Sequence, residues 1–197
     1  MQEKLNKSTL GLALFLVLFA TSWRVIAAVS LNTLPNFSPV MAMAFCCGMT
    51  LPGAAAFALP LGCLFASDLL LNAHYGQPLV STGMIGLYAC YLFATGLGRR
   101  LRGAGLLPLF GATVANSLLF YMVTNSLSWA HNAYYAQTFG GWVQALSVGR
   151  PGFPPTWVFF RNSLISDLLF TAVFLGALYG ARKRSASPNL CRQESSL

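Results

Sequence analysis

The chain has 197 residues, of which 56% are apolar and 8% charged; an average soluble domain carries roughly 25% charged residues. Twelve Lys and Arg against four Asp and Glu give a net charge of +8. So little charge excludes a water-soluble enzyme domain, a disordered regulator and a nucleic-acid-binding module, and the class expected is an all-α membrane protein.

Spanning helices need about 20 apolar residues. Six are expected, at about 8–29, 38–51, 54–72, 79–98, 106–128 and 157–181. Together they form a single transmembrane domain over residues 1–181. The run Leu10–Ala20 behind Lys4 and Lys7 has features of a cleaved signal peptide. Trp23 and Arg24 interrupt it and the apolar pattern resumes through Val29, so it reads as a retained first span. Pro52-Gly53 breaks the chain between the second and third spans. The polar, aromatic stretch Trp129–Thr156 is a long loop with an interfacial helical piece around Phe139–Ser147. Residues 182–197 form a polar tail.

Six spans put both termini on one side. That side receives Lys4, Lys7, Arg99, Arg100, Arg102, Arg182, Lys183, Arg184 and Arg192, and the opposite loops receive only Arg150. By the positive-inside rule both termini are cytoplasmic, in a bacterial inner membrane. The net charge is thus a topology signal, and nucleic acid is not needed to explain it.

Two stripes of small residues, Ala54/Ala58/Gly62/Ala66 and Ala172/Gly176/Gly180, read as close helix packing within the bundle, or one of them as a partner-docking face. Ser67-Asp68-Leu69-Leu70 is echoed by Ser166-Asp167-Leu168-Leu169, a hint of two related halves.

The intramembrane charges are the candidate functional groups, because a carboxylate in hydrocarbon costs at least ~2.5 kcal/mol unless paired or hydrated. Asp68 and Asp167 lie inside spans, as do Arg24 and Arg161. At ~1.5 Å per residue Asp68 is about 6 Å from the outer end of its span, and Asp167 about 9 Å deeper than Arg161. Asn32, Asn36, Asn72, Asn125 and His131 fall at the same outer level. Together these side chains have the makeup of a small-molecule pocket open to the outside. The bland readings are an interfacial aromatic belt for Trp129, Tyr134 and Tyr135 and snorkelling for Arg24 and Arg161. A structural ion pair could also hold either Asp. Two histidines, His74 and His131, are too few for a metal site. The five cysteines form no CxxC. No metal or cofactor is expected, and no hydrolase, metalloprotease or phosphate-binding motif occurs.

The patch Asn32-x-x-Pro35-Asn36-Phe37-Ser38-Pro39-Val40 with Ala42-Met43-Ala44, the step from Pro60-Leu61 to Ser67-Asp68, Val123-Thr124-Asn125, and Phe160-Arg161-Asn162-Ser163 through Asp167 to Gly176 resemble an uncharacterised transport family of bacterial membrane proteins. Its members are similar to the substrate-binding (S) components of energy-coupling-factor (ECF) vitamin transporters. The resemblance implies a six-helix S-component bundle with an outer-side pocket. A membrane-embedded energising subunit with ATPases would be its partner, and Asn32, Asn36, Asp68, Asn125, Arg161 and Asp167 would be its site residues. Many S components show an AxxxA face on the first helix; here Gly11, Ala13 and Ala20 lack that spacing, which removes partner docking or moves it to the third span.

The function expected is therefore a non-catalytic, membrane-embedded subunit that binds a small vitamin-like micronutrient. Arg24 and Arg161 would meet its anionic groups, and Asp68 a cationic or donor group. The alternatives are a membrane scaffold or assembly protein with buried ion pairs and, further off, an intramembrane enzyme using Asp68 and Asp167.

Overall fold

The computed structural model of the chain describes residues 7–30, 35–81 and 83–186. Among them lie seven helices and no strand: α1 Lys7–Ser30, α2 Val40–Thr50, α3 Ala55–His74, α4 Gly83–Arg100, α5 Leu106–His131, α6 Phe139–Leu146 and α7 Thr156–Ala186. The breaks follow local chemistry. Gly53, Gly76 and Gly103 take φ of 54°, 62° and 82° at the ends of α2, α3 and α4, a region open to glycine without steric cost. At the start of α6 the Thr138 hydroxyl accepts from the Gly141 N–H at 3.2 Å, an N-cap.

Among the described residues three helices are long and apolar enough to cross a membrane: α3, α5 and Thr156–Gly180 of α7. The second expected span is different. Its helix has only 11 residues, about 16 Å at 1.5 Å per residue, and cannot cross a ~30 Å hydrocarbon core alone. It is instead the axis of the bundle. Val40 through Met49 are all buried, and α2 packs against α1, α3, α4, α5 and α7.

Backbone contact fixes α2 on α4. A Cβ added to Gly48 would lie 2.0 Å from the Thr95 carbonyl oxygen, and one on Gly98 would lie 2.0 Å from that of Phe45. Only glycine at both positions lets the helices cross so closely. Carbonyls at the end of α2 and just past it accept from arginine: Arg102 donates to Gly48 (3.1 Å) and Leu51 (2.7 Å), and Arg99 donates to Gly53 (3.0 Å). The foot of α2 therefore sits at the basic end of the bundle, with Arg99 and Arg100.

Its head does not reach the other end. The chain from Pro35 to Ser38 is non-helical and descends beside α7. Asn162 Nδ2 donates to the Pro35 carbonyl (3.1 Å), Ser163 to that of Asn36 (3.4 Å) and Ser166 to that of Ser38 (2.8 Å). Those three donors lie about 9 to 15 Å along α7 from Thr156. Irregular backbone at such depth is tolerated where protein groups satisfy it or where it lines a cavity. Both conditions hold here. Trp23 closes the other flank, its indole N–H donating to the Phe37 carbonyl at 3.2 Å, amid edge-to-face contacts of Trp23 and Phe37 with Phe170.

α5 and α7 run antiparallel: Thr113 meets Thr171, Ser117 meets Asp167, and the Tyr121 and Phe160 rings lie 4.8 Å apart.

Two expectations are corrected. The small-residue stripes do not pack inside the bundle. Ala54, Ala58, Gly62 and Ala66 are exposed, as are Ala172 and Gly176, and a Cβ on Gly62, Gly176 or Gly180 would meet nothing within 4 Å. The buried face of α3 is Ala56, Pro60, Leu64, Ser67, Asp68 and Leu71. Close approach is supplied by Gly48 and Gly98 instead. The tail also begins later, since α7 continues through residues 182–186; Ala, Arg and Lys are good helix formers and nothing there breaks the helix. Residues 187–197 lie outside the described residues.

Candidate functional site

Two cavities meet inside the bundle. The larger, about 380 Å³, opens at the end where α6 and the loops lie. Its aromatic walls are Phe120, Tyr121, Tyr135, Phe153, Phe159 and Phe160. Its polar groups are Asn36, Thr124, Asn125, Ser128, Asn132 and Ser163, with Arg150 at the loop side. The deeper one, about 210 Å³, is lined by Arg24, Asn36, Ser38, Met41, Leu87, Tyr91, Phe120, Ser163 and Asp167. Asn36, Phe120 and Ser163 belong to both. The two cavities thus adjoin, one at the loop end and the other at a buried carboxylate.

The shape follows from α2. Because this helix starts deep in the bundle, the space above its head is walled by α4, α5 and α7 and floored by the 35–39 turn. Asn36 holds a φ of 62° there, a left-handed conformation that Asn adopts more readily than most residues.

Two charged groups stand at the level of the deeper cavity. In the first, Arg24 pairs with Asp68 and also donates to the Ser67 hydroxyl. Tyr88 donates to the second Asp68 oxygen at 2.7 Å. Asp68 is thereby satisfied from α1 and α4, with its side chain 7% exposed. The second is Asp167, 3% exposed, whose Oδ2 accepts from Ser117 at 2.6 Å. Among the described residues no cation pairs with it. One polar atom of the lining residues, Ser38 Oγ, has no partner among the described residues.

The loop side is held by aromatic and amide contacts. The Arg150 guanidinium stacks 5.3 Å from the Tyr134 ring centroid and 5.7 Å from that of Phe153. Burial raises the Tyr135 phenol above its ordinary value, against the lowering effect of Arg150. Trp142 of α6 donates to Ser126 of α5 at 2.8 Å, and Tyr121 donates to the Leu146 carbonyl. These bonds fasten α6 across α5 beside the opening.

The residues expected from sequence divide into three groups. Arg24, Asn36, Asn125 and Asp167 line the cavities. Asp68 stands behind Arg24 as its ion-pair partner. Arg161, Asn72 and His131 are elsewhere. Arg161 is exposed, 5.6 Å from the Trp157 ring and bonded to its neighbour Asn162. Asn72 donates to the Leu79 carbonyl, and His131 bonds the Leu127 carbonyl of its own helix. Asn32 lies outside the described residues. Arg161 therefore does not face the deep acid; at 3.6 residues per turn the six-residue step between them leaves the two side chains about 120° apart around α7. Missed as site groups were Tyr91, Thr124, Phe120 and Arg150. Arg150 carried a signal, being the one basic residue in the loops opposite the basic end. No group of three metal-ligating side chains occurs among the described residues.

The model of a family of unknown function, DUF6580, matches residues 3–190, and the chain belongs to that family. No curated protein and no solved structure matches it.

Proposed function

We propose that this protein is the membrane-embedded binding subunit for a small, vitamin-like micronutrient, captured from the outer side of the bacterial inner membrane. In this reading the bundle crosses the bilayer six times, with the 35–51 segment crossing as irregular chain plus the half-length α2. The basic end, carrying Arg99, Arg100 and Arg102, faces the cytoplasm together with both termini, and the cavities open outward.

The observation that carries the reading is the pair of adjoining cavities. Binding sites for small molecules are concave, about 300–1,000 Å³, mostly apolar, with a few placed polar groups. A cavity of about 380 Å³ with six aromatic walls, adjoining one lined by Arg24 and Asp167, has that makeup. The likeness of the sequence patches to S components of ECF transporters agrees with it, and an energising subunit with ATPases is the partner that likeness brings. A scaffold with buried ion pairs would account for Arg24 and Asp68 but gives no reason for an open cavity adjoining one lined by an unpaired acid.

The test is extraction of small molecules from the purified protein, followed by mass spectrometry, with Thr124→Trp beside the wild type. Thr124 lines the larger cavity and is half-buried, so the indole fills space without breaking the Arg24–Asp68 pair. A compound retained by the wild type and lost from the variant is expected. A folded wild type that is empty after growth in rich medium contradicts the proposal.

A further inference from the structure

We infer that the deep end of the cavity is a subsite for a cationic group, with Asp167 as its counter-ion. This rests on the binding role proposed above and names the chemistry of its ligand.

The argument begins with charge. At this level of the bundle Arg24 supplies one positive charge against two carboxylates, Asp68 and Asp167. Arg24 is committed by geometry: it reaches Asp68 and Ser67, and Tyr88 completes the Asp68 shell. Asp167 is left with one hydroxyl donor, from Ser117. A buried carboxylate without a counter-ion is costly, more so away from water. The other arginine nearest in sequence, Arg161, is turned outward over Trp157. Asp167 must therefore hold either a proton or a cation, and it stands where a cavity ends.

The surroundings favour the cation. Asp167 lines the deeper cavity with Ser38, whose buried Oγ has no partner among the described residues. The Tyr91 and Phe120 rings, centroids 6.1 Å apart, stand beside it. Aromatic faces attract cations and welcome a flat apolar body. A positive group seated on Asp167 would gain the carboxylate, the Ser38 hydroxyl and ring faces together. The group belongs to an organic cation whose body continues into the aromatic cavity, or it is an inorganic cation that binds alongside a substrate.

The experiment uses the full chain in lipid nanodiscs with N-methylglucamine as the bulky background cation. Benzyltrimethylammonium, sodium and benzoate are titrated in turn, and ligand-induced stabilisation is read. Saturable binding of benzyltrimethylammonium, weakened about tenfold or more in Asp167→Asn as expected for loss of a charged contact, supports the subsite with an organic occupant. The same pattern with sodium supports it with an inorganic one. No cation response, or an Asp167→Asn protein that responds like the wild type, overturns it. If benzoate alone binds and stabilises, the cavity is a ligand site and only the cation subsite fails; if nothing binds, the binding role fails with it. Should Asp167→Asn not fold, the wild type answers: dicyclohexylcarbodiimide modifies Asp167 in preference to the arginine-paired Asp68, and the bound cation slows it. Equal labelling of both acids, or no protection, overturns the inference.

Discussion

The crossing of α2 and α4 gives the sharpest stability prediction, because the structure supplies both the perturbation and its control. In Gly48→Ala the new methyl would lie 2.0 Å from the Thr95 carbonyl oxygen and 2.9 Å from the Arg99 nitrogen. Both are backbone atoms of α4, so no side chain can swing away, and the helices must separate by about 1 Å or more to restore van der Waals contact. Overpacking of this kind costs about 1–3 kcal/mol, while replacing a helical glycine by alanine returns roughly 0.5–1 kcal/mol. The net expectation is a loss of up to about 2.5 kcal/mol, or up to about 10 °C for a chain of this size. Gly62→Ala is the control: its Cβ would meet nothing within 4 Å, so only the helix-propensity gain remains. Reversible unfolding in mixed micelles by rising SDS, followed by tryptophan fluorescence, measures both. A Gly48→Ala protein as stable as Gly62→Ala would refute the close crossing and with it the position of α2 that shapes the cavity.

Arg24→Gln leaves Asp68 without its cation and is expected to cost up to about 3–5 kcal/mol, towards the low end because the arginine side chain is 20% exposed; adding Asp68→Asn should recover most of the loss in the same SDS assay. Tyr88→Phe removes the donor to the second Asp68 oxygen and should cost about 1–3 kcal/mol. Ser166→Ala strands the Ser38 carbonyl and should cost a similar amount, with faster hydrogen exchange confined to residues 35–42. Tyr135, raised by burial, contributes stability that is full below the ordinary tyrosine value near 10 and is lost as pH rises through the raised value; alkaline unfolding curves should therefore flatten at high pH in Tyr135→Phe.

Much of the architecture was legible because membrane helices announce themselves by length and apolarity. The Phe139–Ser147 piece was readable between turn residues, and α6 occupies Phe139–Leu146. Of the four charges expected inside spans, two are partners, Arg24 and Asp68. Rotation about each helix was not legible. A span that is apolar all round has no polar face to say which side is inside, so the stripes containing Gly62 and Gly176 looked internal and face outward. Arg161 was placed in the site for the same reason. The length of α2 was hidden too: Val40–Thr50 reads as part of a span, and nothing local says that Pro35–Ser38 descends along α7. That descent is held by Asn162, Ser163 and Ser166, more than 120 residues away in sequence.

The central claim, a ligand cavity reached from the outer side, is tested most directly at Ser128, which lines the larger cavity and is exposed. In a background with the five native cysteines replaced, Ser128→Cys is treated in spheroplasts with a membrane-impermeant maleimide. The reaction is run with and without the small-molecule fraction extracted from wild-type protein. The account predicts labelling from outside that the fraction slows. Labelling only after the membrane is opened, or at a rate the fraction leaves unchanged, would contradict it.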